Sequence, residues 1–189
     1  MRIIAGEFKS RRLEFVKTPD LRPTMDRVKE SLFNVLGGTV ENEQVLDLFA
    51  GSGSLGLEAL SRGAKKAVFV DSSPIAQKLL AKNLASLKIP HQKASVLTLP
   101  WEVAFNFLKK KDPFDLVLMD PPYTQPELIQ NVLSALGEAD ILRPACRIVV
   151  EHMHRYKIPE ELLKGRFKLY RTLICGGIAL SFLMVSNEA

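Results

Sequence analysis

Two short runs of this 189-residue chain carry residue types that can do chemistry together. The first is Asp120-Pro121-Pro122-Tyr123, which follows the apolar run VLM. A proline after Asp120 holds that acid extended, and two prolines in succession fix φ twice and remove two N–H donors. The loop therefore offers acceptors: the Asp120 carboxylate and the Pro121 carbonyl can converge on an –NH2 group. Tyr123 adds a ring face for stacking a base, an interaction worth about 1–3 kcal/mol. An exocyclic amine of a nucleobase is a poor nucleophile because its lone pair is conjugated with the ring. Two acceptors on its hydrogens free that lone pair, and a carboxylate stabilises the positive charge that develops on nitrogen. The competing reading of the same residues is a stiff turn after a buried strand, with an incidental acid.

The second run is AGSGSLG, which spaces Gly51, Gly53 and Gly56 as G-x-G-x-x-G between a strand and a helix. Asp71 follows at the end of the next strand, where an acid can accept hydrogen bonds from a ribose diol. A dinucleotide fingerprint would set a pyrophosphate on the helix N-terminus. Asp47, four residues before Gly51, would face that anion badly and suits a cationic ligand end, such as the amino group of a methionine moiety. The combination points to S-adenosylmethionine, which has a ribose, no phosphate and a positive sulfonium. A tight strand–helix turn, with Asp71 serving the next helix, is the structural alternative. An NAD-dependent oxidoreductase is the alternative drawn from the glycines alone.

These residues need a frame that brings strand ends together. VLDLFA (45–50), AVFVD (67–71), a segment near 93–97, FDLVLMD (114–120) and CRIVVEH (146–152) read as strands. Helices are expected between them: from the glycine loop, from Pro74 to about Leu87 with Ser73 before it, over 103–108 and over 128–136. The 74–87 helix carries Ile75, Leu79, Leu80 and Leu84 on its apolar face. FKLYRTLIC (167–175) and IALSFLMV (178–185), joined by Gly176-Gly177, read as a closing hairpin. Alternation of this kind implies a mostly parallel α/β sheet, doubly wound, with both faces covered. Ligands of such sheets sit at the carboxyl ends of the strands. Upstream, Ile3, Ile4, Phe8, Leu13 and Phe15 around a basic middle suggest a β-hairpin over 1–20. Thr24 sits as an N-cap before a helix bearing Met25, Val28, Leu32, Val35 and Leu36, stopped by Gly37-Gly38.

Composition excludes little. A chain that is 47% hydrophobic and 25% charged, with net charge +5, is an ordinary globular protein for which an anionic partner is favoured. Cys146 and Cys175 have no metal-type spacing, and His91, His152 and His154 form no ligand constellation, so no metal is expected. No segment reads as a leader or a membrane span, which suggests the cytoplasm. Arg2, Lys9, Arg11 and Arg12 make the first segment a basic arm, suited to phosphate or to a solvated edge.

The runs LDLFAGSGSLGLEAL, FVD and LVLMDPPY together resemble class I S-adenosylmethionine-dependent methyltransferases acting on an amine. RIIAGEFKSRRLEF and LRPTMDRVKESLFNVL resemble the RsmD family, the bacterial 16S ribosomal RNA guanine-N2 methyltransferases, and the likeness extends over nearly the whole chain. It implies a seven-stranded, mostly parallel sheet with one antiparallel strand, an N-terminal β-hairpin extension over 1–20 and a Rossmann-like domain over 21–189. It implies a cofactor site at Asp47, Phe49, Gly51, Ser52, Gly53, Asp71 and Thr24, and a catalytic loop at Asp120, Pro121, Pro122 and Tyr123. It implies RNA contacts at Arg2, Lys9, Arg11, Arg12, Arg22 and Arg27. The partner it implies is 16S rRNA or an assembling small ribosomal subunit, met by a monomer. Adenine N6 in DNA and a glutamine amide of a protein remain alternative acceptors, since related motifs serve all three. A non-enzymatic RNA-binding module is the reading furthest from these.

Overall fold

Short strands with apolar residues on both faces can be buried only between two layers of helix, and this chain builds both layers. The computed structural model describes residues 1–15, 24–38, 40–163 and 166–186, with the side chains of Thr24 and Met25 excepted. In chain order the elements are α1 (Thr24–Val35), β1 (Gln44–Leu48), α2 (Ser54–Ser61), β2 (Lys66–Val70), α3 (Pro74–Ser86), β3 (Ala94–Leu97), α4 (Trp101–Leu108), β4 (Phe114–Met119), α5 (Glu127–Glu138), β5 (Leu142–Met153), α6 (Glu160–Leu163), β6 (Phe167–Cys175) and β7 (Ile178–Val185). The sheet runs β3-β2-β1-β4-β5-β7-β6. β1 pairs in parallel with β2 and β4, β2 with β3, and β4 with β5; β7 is antiparallel to both β5 and β6. The order reverses between β1 and β4, so a crevice opens at the carboxyl ends of those two strands.

The pleat sorts side chains to the two faces. Leu46, Leu48, Val117, Met119, Ile148 and Val150 pack with α4 and α5 residues. Val45, Leu116, Leu118 and Val149 pack on the other face with Val28, Leu32, Phe33, Leu57, Leu60 and Leu80 of α1–α3. α3 begins as expected, with the Ser73 hydroxyl accepting from Ala76 N at 3.4 Å and Pro74 in the first turn. Ile75 departs from the expected apolar face: it is 63% exposed and lines the cavity described below. Thr24 is the first helical residue of α1, not the residue before it. Pro19, Arg22 and Pro23 lie outside the described residues.

The expected N-terminal hairpin is a reversal of the chain closed by one antiparallel bridge, Arg2 to Arg12, with no regular strand in residues 1–15. Two left-handed residues, Gly6 (φ 82°) and Ser10 (φ 68°), turn the backbone too tightly for a ladder. Gly6 lies so close to α2 that a Cβ there would sit 1.7 Å from the Ser61 carbonyl oxygen. Ile3 and Leu13 are buried in the α1–α3 layer.

Glu58 of α2 holds this segment. Its carboxylate, fully buried, accepts from Ile4 N (2.8 Å) and Ala5 N (3.0 Å). It also pairs with Lys29 Nζ of α1 (3.1 Å) and Arg62 Nε (2.8 Å). Lys29, itself 2% exposed, donates to the Arg2 carbonyl at 2.6 Å. Removing Glu58 would strand a buried ammonium and two amides. Glu58→Ala is expected to lower stability by about 3–5 kcal/mol, read from the urea midpoint at constant m-value; a loss below about 1 kcal/mol would show the cluster to be dispensable.

Candidate active site

The crevice is a cavity of about 890 Å³ between the carboxyl ends of β1, β4 and β5, the start of α3 and the Gly176-Gly177 turn. Its floor follows from register. Leu48 pairs with Val70 and Met119, the last residues of β1, β2 and β4, and Met119 pairs with Val150 of β5, which runs on along β7. One residue further on, Asp71, Asp120 and Glu151 fall abreast on the α1–α3 face, two residues beyond Phe69, Leu118 and Val149. Asp47 lies behind them on the same face, registered with Phe69 and Leu118. Phe49 would join that row, but its left-handed backbone (φ 59°) breaks the alternation and its ring packs with the α4–α5 layer. That bend lets β1 turn out into the glycine loop.

Asp47 Oδ2 accepts from Gly56 N at 2.8 Å. The approach needs a glycine, since a Cβ at position 56 would lie 2.4 Å from the Phe69 ring and 3.0 Å from this oxygen. Asp71 accepts from Gly51 N through Oδ2 and from Ser73 N through Oδ1, each at 2.8 Å, so it ties the glycine loop to the start of α3. Buried Asn83 adds a second tie: Nδ2 donates to the Ser52 carbonyl (2.8 Å) and to the Glu14 carbonyl (2.9 Å), joining the loop to the N-terminal segment. In the Pro-Pro loop, Pro122 O accepts from Gln125 N at 3.1 Å, and among the described residues no hydrogen bond reaches Pro121 O. Tyr123 is 43% exposed, and its hydroxyl donates to Glu151 Oε1 at 2.5 Å.

The electrostatics are lopsided. Burial pushes Asp47 up to about 8; the Gly56 N–H opposes the shift and the charge of Asp71 adds to it. Asp120 is raised well above the ordinary carboxylate range by burial, then by the charges of Glu151 and Asp47. Burial raises Glu151 as well, against the Tyr123 hydroxyl bond. Lys29 lines the cavity, but its ammonium is engaged by Glu58, and burial lowers its pKa. Three acids thus face an apolar cavity with little compensation, a setting that favours a cationic ligand or N–H donors.

Of the residues singled out in the sequence, Asp47, Phe49, Gly51, Ser52, Asp120, Pro121, Pro122 and Tyr123 line this cavity. Gly53 and Asp71 stand behind the lining and shape the loop. Arg22 and the Thr24 side chain lie outside the described residues. The basic residues do not reach the cavity: Arg2 pairs with Asp26 at 3.2 Å and Arg11 donates to the Ser86 carbonyl at 2.6 Å. Lys9, Arg12 and Arg27 are exposed. Sequence reasoning passed over Glu151, Lys29 and the Cys175–Gly177 turn, which all line the cavity. Glu151 lies inside the apolar run of β5, and only the register of β4 with β5 reveals its place. Among the described residues no cluster could hold a metal ion and no helix is long and apolar enough to cross a membrane.

A seven-stranded sheet with this order, a glycine loop after its first strand and an acid-Pro-Pro-aromatic loop after its fourth define the class I S-adenosylmethionine-dependent methyltransferase fold. Comparison with known proteins narrows the class. Residues 1–184 match the family described as Conserved hypothetical protein 95, and the chain belongs to that family, the RsmD family. The Ribosomal RNA small subunit methyltransferase D of Haemophilus influenzae is 42% identical over 154 residues, 80% of this chain and 78% of the relative. The protein of the same name from Escherichia coli K12 is 37% identical over 180 residues, 95% of this chain and 87% of the relative. The solved structure of the Escherichia coli protein yhhF superposes with a TM-score of 0.80 at 35% identity, covering 98% of each chain.

The raised pKa of Asp47 has a thermodynamic consequence. The folded state holds this proton more tightly than the unfolded chain, so between the ordinary value of 3.8 and about 8 the folded state binds more protons. Stability contributed by this group therefore falls as pH rises across that window. Urea unfolding of the wild type and Asp47→Asn should show a stability difference, wild type minus variant, that declines steadily with pH over the window. A difference that does not change with pH would mean that Asp47 titrates as an ordinary carboxyl.

Proposed function

We propose that this chain transfers a methyl group from S-adenosylmethionine to the exocyclic N2 amine of a guanosine in 16S rRNA, during maturation of the small ribosomal subunit in the cytoplasm. The observation that carries the reading is that Asp120 and Pro121, whose carbonyl takes no hydrogen bond among the described residues, line the same cavity as the glycine loop. Membership of the RsmD family and the names of the rRNA-methylating relatives support the substrate.

The cavity fits the cofactor on its own chemistry, since acids that burial leaves short of partners favour a ligand with a cationic amine and a sulfonium. Asp47 would hold the amine end and Asp71, through its remaining lone pairs, the ribose. Phe49, Gly51, Ser52 and Gly53 would shape the wall between them, with Thr24 nearby. The cofactor supplies a methyl group on positive sulfur, which leaves as a neutral thioether.

Asp120 and the Pro121 carbonyl would each accept one hydrogen of the amine, drawing nitrogen toward tetrahedral geometry. Tyr123 would stack on the base and hold it in line. The positive charge that develops on nitrogen as it takes the methyl group would lie beside the Asp120 carboxylate, which would stabilise it. Nitrogen then sheds one proton, and the high proton affinity of Asp120 makes it the acceptor. The exposed cations Lys9, Arg12 and Arg27, with Arg2, Arg11 and Arg22, would contact phosphates and set register without reading bases. The protein would act as a monomer.

Asp120→Ala is expected to lower methyl transfer by at least about 10²–10³-fold while S-adenosylhomocysteine still binds, measured by radiolabel transfer and calorimetry. Mass-spectrometric mapping of 16S nucleosides with and without the gene should show loss of one N2-methylguanosine. Unchanged turnover in Asp120→Ala would remove the role given to the carboxylate, and an unchanged nucleoside map would remove the substrate.

A further inference from the structure

An acid and a carbonyl that grip an –NH2 group do not by themselves distinguish guanine from adenine, because both bases carry an exocyclic amine. The bases differ in the neighbouring ring atom. Guanine places N1–H, a donor, beside its N2 amine. Adenine places N1, a bare lone pair, beside its N6 amine. A site that reads guanine needs a second acceptor next to the one that grips the amine.

Glu151 meets that requirement. Met119 pairs with Val150, so Asp120 and Glu151 are neighbours one residue beyond, on adjacent parallel strands. Such strands lie about 4.8 Å apart. Both residues line the cavity. The Tyr123 hydroxyl donates to Glu151 Oε1, and among the described residues Oε2 takes no hydrogen bond. The residue assigned to stacking the base therefore also fixes the rotamer of this carboxylate and leaves its second oxygen for a ligand. The Asp120–Glu151 pair presents two acceptors side by side, matched to two adjacent N–H donors.

We propose that Glu151 is the specificity-determining residue of the site, accepting the N1–H of guanine while Asp120 accepts from the N2 amine. The inference rests on the guanine-N2 reading above and deepens it. Adenine would set its N1 lone pair against the Glu151 carboxylate, and the buried acceptor would lose its partner. A pocket built to hydrogen-bond a substrate N–H discriminates strongly against an analogue that lacks it.

The test uses the full-length protein and small-subunit particles reconstituted with RNA carrying either guanosine or 2-aminopurine at the target position. 2-Aminopurine keeps the 2-amine but has a lone pair at N1. Wild type should favour guanosine by about 100-fold or more in kcat/KM. In Glu151→Gln the amide NH2 can donate to that lone pair, so the preference should fall below about 10-fold, with the loss on guanosine and little loss on 2-aminopurine. Retained thermal stabilisation by S-adenosylhomocysteine would show that the variant folds.

A wild type that methylates both bases equally overturns the proposal without any variant. So does a folded Glu151→Gln that keeps the wild-type preference. In either case guanosine is still methylated, and the functional reading stands. A wild type that methylates no guanosine overturns the reading and the proposal together.

Discussion

The register that ends β2, β1 and β4 at one level and sets Val150 of β5 beside them is the constraint on which the rest of this molecule depends. The pairing of Leu48 with Val70 and Met119 makes β1, β2 and β4 finish at one level, and the pairing of Met119 with Val150 sets β5, which runs on to Met153 along β7, in register with them. Side chains one residue beyond then fall in a row with no choice left to the loops. Because the pleat alternates, that row faces the α1–α3 layer, the side on which Asp47 already projects. A one-residue slip of β5 against β4 would turn Glu151 to the opposite face and bury Val150 on the wrong side. The hydrophobic layers thus enforce the register, and the register assembles the acids.

Two kinds of buried carboxylate stand a few residues apart, and their contrast separates architecture from chemistry. Glu58 takes four donors, two of them cationic. A buried charge so fully matched is satisfied and inert. Asp47 has one backbone donor, Asp120 is raised further by the charges of Glu151 and Asp47, and Glu151 accepts from the Tyr123 hydroxyl. Those three hold protons far more readily than free carboxyls do. An isolated buried acid would be removed by its own desolvation cost if a ligand did not complete it. Perturbed acids that converge on one cavity, next to a fully compensated one outside it, mark the cavity as the working part.

The sequence made the strands and their order of use legible, because continuous apolar runs bounded by Gly and Pro leave few other structures open. β6 and β7 fall on the expected residues, and β4 ends one residue earlier than read. The Asp120 loop and the glycine loop were legible because proline and glycine act locally. Glu151 was not, since nothing within CRIVVEH distinguishes an acid that faces a cavity from one at a solvated strand end; its meaning comes from the pairing of β4 with β5, as of Met119 with Val150, far apart in sequence. Glu58 and Lys29 were hidden for the same reason: each looks like a surface residue of an amphipathic helix until the N-terminal segment covers it. That segment does double back antiparallel, with Arg2 bridged to Arg12, but its alternation of apolar residues did not show that Gly6 and Ser10 turn it into a clasp on α2. Ile75 shows the converse error, an apolar residue at helical spacing that serves a cavity and not the core.

The distribution of charge has a direction that follows from these same placements. The chain carries a net charge of +5, yet its cavity is lined by Asp47, Asp120 and Glu151, and the one cation among the lining residues, Lys29, is paired with Glu58. Lys9, Arg12 and Arg27 sit on the clasp and on α1, the elements whose other residues, Met1, Phe15, Val28 and Lys29, form one wall of the cavity. A nucleotide approaching that wall meets opposite fields at its two ends. Its phosphate is drawn to the outer cations and repelled by the acids within, while the N–H edge of a base is drawn to the acids. Under the proposed reading this polarity orients the nucleotide base-first before any specific contact forms. Under the same reading the Glu58 cluster would have a second consequence beyond stability: by fixing the clasp to α2, it would fix the distance between the cations proposed to hold the backbone and the acids proposed to receive the amine.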